Sequence, residues 1–589
     1  MVPGWAPPVL RHPSSMAPGL IVGPAAAALL GRPTIARMDR RQFLQRLGAL
    51  AGAVALGSGG LGGERLGPSR HKRPSHQRRR THLLDGLPVA DWVVEENKRP
   101  GVDPKQWVIA PSPAAGWPSP IEGFANSVSY QQGDELVLYV NTTAPRFSVD
   151  VLRVGYYQGN GARLVHRSGE LRGRRQPLPT PKGSVNLIEC TDWTPSLRLE
   201  VGKHWPPGDY LILLSASNGE RHYVPFTLRD DASKAAFVVQ NSVNTWQAYN
   251  LYGGYSLYGG APTGALADRS RIVSFDRPYR NPDPQGSGDF IGNELPLVYL
   301  VERHGLDVTY WTDVDLHARP HLLANHRCLL SLGHDEYWSW QMRFDGVAAA
   351  LDKGLNAAFL GANACYRQVR FQPSSRGVAH RQMVCYKDAR ADPIAAKDPK
   401  LATGVSWAED LVPYPESELI GSMYQSYGAI APLVVADASS FLFEGTGLKD
   451  GAVVHGVPGQ EVVGSEFDGF EPALPGPKNV QILAHSPVQS VSGALASDMT
   501  YYSHSGGGAV FASGTARFVQ LLWDGAPAID NALRFGHSPA MGVVTTIMLN
   551  LLRAFGEGPA GKKHPSRANW RHFYSPAAPP VQSVDVAGT

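Results

Sequence analysis

Two short apolar runs, separated by one segment of helical length, constrain the fold more than any other feature of the chain. The first run, Cys328–Leu332, breaks at Gly333, and the second run, residues 357–360, breaks at Gly361. The segment between them, residues 339–352, has the length and polarity of a helix. This order predicts a β-α-β unit within a parallel sheet. Ligands of such sheets bind beyond the carboxyl ends of the strands, so we expect the functional site there.

The pattern of strands and helices divides the body of the chain into two domains. A chain of 589 residues is too long for one hydrophobic core. In residues 121–230, short strands separated by Gly, Asn and Pro predict an immunoglobulin-like β-sandwich. In residues 231–560, strands alternate with helices and predict an α/β domain with a parallel sheet. We interpret residues 64–120 as a basic, Pro-rich linker and residues 561–589 as a C-terminal tail.

The excess of positive charge is confined to the N-terminal region. Lys and Arg outnumber Asp and Glu by 13 to 2 in residues 1–81, whereas the remaining residues include 42 basic and 49 acidic side chains. The body of the chain is therefore mildly acidic. This balance argues against nucleic acid as a partner.

A twin-arginine export signal accounts for the basic N-terminal region. Arg40 and Arg41 precede an apolar run rich in Gly and Ala, which is about half as long as a membrane-spanning helix. We therefore interpret residues 38–63 as this signal. We expect the twin-arginine machinery of a bacterium to export the protein, which would lie in the periplasm, outside the cell or attached to the cell envelope. Residues 1–37 lack this pattern and are either a misassigned start or a disordered leader.

Polar side chains follow both strands of the predicted β-α-β unit. Those after the first strand are His334, Asp335, Glu336 and Tyr337, and those after the second are Asn363, Cys365 and Tyr366. An aromatic segment, residues 244–260, arrives from an earlier predicted strand. A polar cluster at this edge of a sheet is typical of a binding or catalytic site. It does not by itself name a reaction.

Four sequence motifs carry a resemblance to a known family. Residues 244–250, 333–339, 361–366 and 383–388 are similar, in the same order, to motifs of the large (β) subunit family of N,N-dimethylformamidase. The similarity extends over residues 120–558. The resemblance implies an immunoglobulin-like domain followed by an α/β domain of the glutamine-amidotransferase or flavodoxin-like kind. It also implies hydrolysis of a small amide at a mononuclear iron held by two tyrosines and one glutamate.

The resemblance assigns the metal ligands to individual residues. Tyr337 matches the first tyrosine, Tyr366 the second, and Glu466 the glutamate. Two phenolates and one carboxylate are hard oxygen donors that suit ferric iron, although a free tyrosine has a pKa of ~10 and ligates only when a cation displaces its proton. His334 and His504 are candidate proton shuttles to the leaving amine. Glu336 and Asn363 complete the set of candidate catalytic residues.

Two other functions remain open at this point. In the first, Cys365 is the nucleophile of an amidotransferase-like hydrolase and a histidine such as His504 is its base. Cys365 follows a strand, but the Gly-x-Cys-x-Gly turn typical of such nucleophiles is missing. In the second, the chain is a non-catalytic exported binding protein. The tyrosines that would then form a binding platform, or alternatively a lid, are Tyr249, Tyr252, Tyr255 and Tyr258.

The expected partners follow from the leading function. We expect a small-molecule amide as substrate, the export machinery as a transient partner, and no nucleic acid. Association with a second copy of the chain or with a small accessory subunit is left open, since no small-subunit sequence is fused to this one.

Overall fold

The computed structural model describes the chain from residue 80 onward, with interruptions. The described residues are 80–110, 117–280, 285–404, 408–409, 411–457, 459–522 and 538–574. The predicted leader, the predicted export signal and the first part of the predicted linker lie outside them. Within the described residues, no helix is long and apolar enough to cross a membrane.

The first part of the described chain is built almost entirely from strands. These are β1 Thr81–Leu84, β2 Leu87–Ala90, β3 Ile121–Ala125, β4 Ser129–Tyr130, β5 Glu135–Thr142, β6 Arg146–Val154, β7 Ala162–Arg167, β8 Leu171–Arg172, β9 Leu197–Glu200, β10 Gly208–Ala216 and β11 Arg221–Leu228. One sheet has the order β3-β5-β9, and a second has the order β4-β11-β10-β6-β7 with β8 paired to β6. Alternate residues such as Leu138, Val149 and Ile212 from the two sheets share one apolar core.

The remaining strands belong to a different architecture. They are β12 Phe237–Asn241, β13 Ile272–Ser274, β14 Val308–Thr312, β15 Cys328–Leu332, β16 Tyr337–Ser339, β17 Asn356–Leu360, β18 Arg367–Gln372, β19 Gln382–Val384, β20 Ala408–Glu409, β21 Val412–Pro413, β22 Met423–Ala431, β23 Leu433–Val434, β24 Val453–Val454, β25 Val463–Gly469, β26 Gln481–Ser490, β27 Gly493–Ser503 and β28 Ala509–Ala512. The main sheet has the order β14-β12-β15-β17-β28-β27-β26. Its strands from β14 to β28 in this order are parallel, and β27 and β26 continue it in antiparallel pairing.

Helices cover both faces of the main sheet. The α-helices are α1 Asp91–Asn97, α2 Pro104–Trp107, α3 Val243–Tyr249, α4 Phe290–Asn293, α5 Leu295–Arg303, α6 Asp313–Ala318, α7 Ala349–Leu351, α8 Ser417–Ile420, α9 Ala540–Gly556, α10 Ala560–Lys563 and α11 Arg571–Tyr574, and a π-helix spans Gln341–Ala348. Leu330 and Leu332 of β15 belong to the core that includes α5 and α9, whereas Leu329 belongs to the core that includes the π-helix. Successive strand residues point to opposite faces, which explains the continuous apolar run in a sheet covered on both sides.

The structure confirms the predicted β-α-β unit, with one local difference. Strands β15 and β17 are parallel neighbours, and helical turns connect them. The predicted helix at 339–352 begins later, because residues 337–339 form β16, which pairs with β18. The first helical turns are of the π type, a wider turn that is rare and is often found at functional sites.

The interpretation of residues 64–120 as a linker is wrong for the part that the structure describes. Residues 81–107 form a β-hairpin and two short helices. Val89 and Trp107 within them are each only 1% exposed and belong to the same core as α5 and α9. Burial of these apolar side chains outweighs the basic, Pro-rich composition on which the linker interpretation rested.

Candidate functional site

A close approach of two backbones forms the floor of the site. Gly333 follows β15 with a φ of +56°, which favours glycine. Gly361 follows β17, and a Cβ atom built on it would lie 1.6 Å from the carbonyl oxygen of Gly333. Only glycine at position 361 allows this contact. The two turns after neighbouring parallel strands are therefore pressed together, and the side chains that follow them share one edge of the sheet.

His334 lies between two carboxylates at this edge. Its Nε2 atom is 3.4 Å from Oε2 of Glu336 and 3.2 Å from Oε2 of Glu466. Asn363 donates a hydrogen bond of 2.8 Å from Nδ2 to Oε2 of Glu466, and the same Nδ2 lies 3.2 Å from Nε2 of His334. The side chain of His334 is 15% exposed and that of Glu466 is 21% exposed, so this end of the group is open to solvent.

The charge of His334 follows from its neighbours. Burial lowers the pKa of the imidazole, but the carboxylates of Glu466 and Glu336 outweigh this effect and raise the pKa well above its usual value. The two carboxylates therefore favour the protonated form of the side chain. A protonated imidazole in contact with two carboxylates can give up a proton to a reacting group.

Glu336 is the buried anion of the site. The hydroxyls of Tyr249 and Tyr258 donate hydrogen bonds of 3.0 and 2.9 Å to its carboxylate, and Nε of Arg367 donates one of 2.6 Å. Burial raises the pKa of this carboxyl group, but the charges of Arg367 and His334 reverse the effect and hold it well below its usual value. Glu336 therefore stays ionised without contact with water.

Tyr337 points away from the exposed end of the site. Its hydroxyl donates to the hydroxyl of Tyr258 at 2.7 Å and accepts a hydrogen bond of 3.1 Å from Nζ of Lys387. That nitrogen also lies 3.1 Å from the centre of the Tyr258 ring. Burial, followed by repulsion from Arg367, lowers the pKa of Lys387 to about 7. Burial raises the pKa of Tyr337 well above its usual value, so the phenol keeps its proton.

Two aromatic rings flank the exposed end of the site. The ring centres of Tyr366 and Tyr424 are 5.1 Å apart. The guanidinium carbon of Arg367 lies 4.9 Å from the centre of the Tyr366 ring. Burial raises the pKa of Tyr424 most, and the charges of Glu466 and Glu336 raise it further. Arg367 thus connects Tyr366 to the buried Glu336.

The structure brings together most, but not all, of the residues that the sequence singled out. His334, Glu336, Asn363 and Glu466 are in direct contact. His504 is not among them. It lies in the turn between β27 and β28, where its backbone N–H donates to Gly508 and its Nδ1 accepts from Gly506. This turn precedes the amino end of β28, at the opposite edge of the parallel strands, so His504 is too remote to act as the predicted proton shuttle.

The alternative in which Cys365 is the nucleophile lacks geometric support. The side chain of Cys365 is fully buried, and burial raises the pKa of its thiol to about 12. Nη1 of Arg343 lies 3.8 Å from its sulfur. A thiol with these properties is neither ionised nor accessible.

The four tyrosines of the predicted platform make separate contacts within the structure. Tyr249 and Tyr258 stack on each other with ring centres 4.4 Å apart and direct their hydroxyls to Glu336. Tyr252 is fully buried and donates to Glu122. Tyr255 donates to the backbone of Ala261. Tyr249 and Tyr258 therefore support the site from inside, whereas Tyr252 and Tyr255 contact other parts of the chain.

A second set of donor atoms for a metal ion lies beside the one that the resemblance assigned. Among the described residues, no group of three or more His, Cys, Asp or Glu side chains is arranged to hold a metal ion. The hydroxyl of Tyr258, however, lies 2.7 Å from the hydroxyl of Tyr337 and 2.9 Å from a carboxylate oxygen of Glu336. Tyr366 and Glu466 contact other neighbours, as described above. Two phenols and one carboxylate fit a hard cation in chemical kind.

Sequence reasoning missed the functional contacts of Tyr258, Arg367 and Lys387. Tyr258 lies in the Gly- and Tyr-rich segment that was interpreted as a lid or platform, and Lys387 lies in one of the motifs of the resemblance. Charged residues and tyrosines that turn out to be buried leave no local signal of their burial. The motif at residues 383–388 was the one available indication for Lys387.

Comparisons with known proteins agree with the motifs. A family model described as N,N-dimethylformamidase beta subunit-like, C-terminal, matches residues 148–531. No curated protein matches the chain. Among solved structures, an uncharacterized protein from Bacillus anthracis str. Ames is 14% identical and aligns over 18% of this chain and 82% of its own, with a TM-score of 0.12. A score this low supports no conclusion about the fold.

Proposed function

Because the chain belongs to the N,N-dimethylformamidase beta subunit-like family, we propose that it hydrolyses the C–N bond of a small linear amide. The observation that carries the proposal is the position of His334 between Glu336 and Glu466, at the carboxyl ends of parallel strands. An acid and a base in contact with each other, and open to solvent on one side, are what amide hydrolysis requires.

The two exposed groups have complementary roles. Glu466 accepts a proton from a water molecule as the water oxygen attacks the amide carbonyl carbon. His334 donates a proton to the amide nitrogen as the C–N bond breaks, so the products are a carboxylic acid and an amine. Because the two side chains are 3.2 Å apart, the proton on Glu466 returns to His334 and restores the starting state.

The remaining polar residues hold this pair in position. Asn363 binds Glu466 through Nδ2 and fixes the direction of the carboxylate. Glu336 keeps His334 protonated from the buried side. Tyr249 holds Glu336 through its hydroxyl, and its ring lies 5.5 Å from the ring of His334. Geometry that is fixed before the substrate arrives lowers the cost of reaching the transition state.

We propose that iron, if the family centre is preserved, is held by Tyr337 together with Tyr258 and Glu336. This assignment retains Tyr337 and replaces Tyr366 and Glu466, and it rests on the short separations between the three oxygens. Ferric iron held there would replace the phenolic protons and fix the three oxygens at the buried end of the site, away from the water that Glu466 activates.

The finer features of the fold and the location are proposals as well. The two sheets formed between β3 and β11 support an immunoglobulin-like sandwich, and the parallel sheet with helices on both faces supports a glutamine-amidotransferase-like domain. Export by the twin-arginine route rests on residues 38–63 alone. Association with a second copy or a small subunit remains a proposal that a measurement of mass in solution tests.

The activity is tested by following the release of formate from formamide, N-methylformamide and N,N-dimethylformamide. We expect the purified chain to hydrolyse at least one of them and the His334→Gln variant to lose at least 100-fold in kcat/KM, the low end of the range for a proton-transfer group. Glu444→Gln, at an exposed position away from the site, serves as the control. The proposal fails if the folded chain releases no formate, or if His334→Gln is as active as the control.

A further inference from the structure

A small internal cavity lies where the first group of strands meets helix α3. It is lined by residues from several elements, among them Asp209 of β10, Thr227 of β11, Asn241 of β12, Trp246 of α3, and Tyr279. The space open to the centre of a water molecule is about 10 Å³. A cavity needs roughly 10–15 Å³ by this measure to hold one water. The cavity is therefore sized for a single water molecule.

Three polar atoms of the lining residues are buried and find no hydrogen-bond partner among the described residues. They are Oδ2 of Asp209, Oδ1 of Asn241 and the hydroxyl of Tyr279. Asp209 is 2% exposed and Asn241 is 1% exposed. The other atoms of both side chains are satisfied, because Nδ2 of Asn241 and Oγ1 of Thr227 donate to Oδ1 of Asp209 at 2.5 and 2.8 Å.

Leaving three such atoms unpaired would cost several kcal/mol, because each buried unsatisfied group costs about 1–3 kcal/mol. Oδ2 of ionised Asp209 and Oδ1 of Asn241 accept hydrogen bonds, and the hydroxyl of Tyr279 can donate one. A water molecule offers two donors and accepts further hydrogen bonds, so its bonding capacity matches this set. Buried waters typically make about three such bonds.

We propose that this cavity is a binding site for one structural water, which donates to Asp209 and Asn241 and accepts from Tyr279. The water joins three separate segments of the chain: β10, the end of β12 and the segment that contains Tyr279. Burial raises the pKa of Asp209 to about 7, which agrees with a carboxyl group that lacks a cation in contact. The proposal does not depend on the reaction that the protein catalyses.

The site has a structural connection to the candidate active site. Trp246 of α3 lines the cavity. On the same helix, Nδ2 of Asn244 donates to the backbone oxygen of Tyr337, and Oγ1 of Thr245 accepts from the backbone N–H of Glu336. The water therefore lies beneath α3. Other side chains of α3 hold the segment that contains Glu336 and Tyr337 in place.

A crystal structure at high resolution tests the proposal. We expect one spherical density peak within about 3.2 Å of Oδ2 of Asp209, Oδ1 of Asn241 and the Tyr279 hydroxyl. The proposal is overturned by a cavity without density, by side chains that close the cavity through direct bonds, or by a peak at the 2.3–2.6 Å distances of a hard cation such as Ca²⁺.

A pair of variants supplies a second test in solution. Tyr279→Phe removes one hydroxyl that binds the water, and Tyr427→Phe removes a hydroxyl from a side chain that is 55% exposed. We expect Tyr279→Phe to unfold at a lower urea concentration than wild type and Tyr427→Phe to unfold with the wild type. Equal midpoints for all three proteins would contradict a bound water that uses the Tyr279 hydroxyl.

Discussion

The imidazole of His334 lies 3.2 Å from the carboxylate of Glu466, although the two residues come from different layers of the structure. His334 follows a strand of the main sheet, whereas Glu466 belongs to β25, which pairs only with β22 among the described strands. Within the proposed reaction, this contact fixes both the charge of the acid and the direction of the base. Its removal should therefore change the pH dependence as well as the rate.

Glu466→Gln should lower kcat/KM by about 10²–10⁴-fold, the usual range for loss of a positioned proton-transfer group. The carboxylates raise the pKa of His334, so the alkaline limb of the wild-type profile should mark the loss of its proton. Without the charge of Glu466, the alkaline limb should move to lower pH. The pH profile of kcat/KM measures this, with Glu444→Gln as the control. An unmoved limb would show that His334 is not the acid.

Arg367→Met should destabilise the fold by about 3–5 kcal/mol, because it removes the cation that pairs most closely with the buried carboxylate of Glu336. Urea unfolding measures the loss. The double variant Arg367→Met/Glu336→Gln should recover much of the stability, since it no longer buries an unpaired charge. If the double variant is as unstable as the single one, the loss comes from packing and not from charge.

Lys387→Met should flatten the pH dependence of stability on the alkaline side of neutrality. In the folded state the pKa of Lys387 is about 7, and in the unfolded chain it is ~10.4. Between these values the unfolded chain binds the extra proton, so this lysine makes the wild type more stable as the pH rises. Urea midpoints from pH 7 to pH 10 measure the slope. Lys449 is exposed, so Lys449→Met should keep the wild-type slope. A slope in Lys387→Met equal to that of the wild type would contradict the prediction.

Iron content should distinguish the two sets of metal ligands. On the assignment proposed here, Tyr337→Phe and Tyr258→Phe lose bound iron and its visible tyrosinate absorption, whereas Tyr366→Phe keeps both. Elemental analysis and a visible spectrum of each purified variant provide the measurement. If Tyr366→Phe loses its iron and Tyr258→Phe keeps it, the ligands assigned from the motifs are favoured instead. If the wild-type protein holds no stoichiometric iron, the proposal no longer includes a metal.

Gly361→Ala should prevent the native fold from forming or destabilise it severely, because the new Cβ atom would lie 1.6 Å from the carbonyl oxygen of Gly333. Gly542→Ala is the matched control. Gly542 lies in helix α9 with open space around it, so this change should stabilise the protein by up to about 1 kcal/mol. Thermal unfolding of both variants measures the contrast. A Gly361→Ala protein as stable as wild type would mean that the two turns can separate.

The sequence predicted the features that depend on residues close to each other along the chain. The apolar runs at β15 and β17 and their glycine stops are local signals, and they predicted a site at the sheet edge where the structure brings His334, Glu336 and Asn363 together. The pairing of His334 with Glu466 depends on the path of the chain through space, and the motif resemblance supplied Glu466 only as a metal ligand.

The misassignments have physical causes of the same kind. Residues 81–107 have the composition of a linker, but Val89 and Trp107 find an apolar core formed by much later segments. His504 stands before a glycine run, as a turn residue does, and the sequence does not show which edge of the sheet that turn occupies. Tyr258 has the appearance of an exposed aromatic residue until Glu336 and Lys387 surround it.

Glu466 lies in β25, which pairs with β22 outside the main sheet. The proposed set of catalytic residues is therefore completed late in the synthesis of the chain. A nascent polypeptide that has emerged from the ribosome only as far as β17 already has His334, Glu336 and Asn363, but their base is still to be translated. Within the proposed reaction, hydrolysis therefore cannot start before β25 has been translated, and an early stop codon ahead of β25 would remove the base together with β26, β27 and β28 of the main sheet.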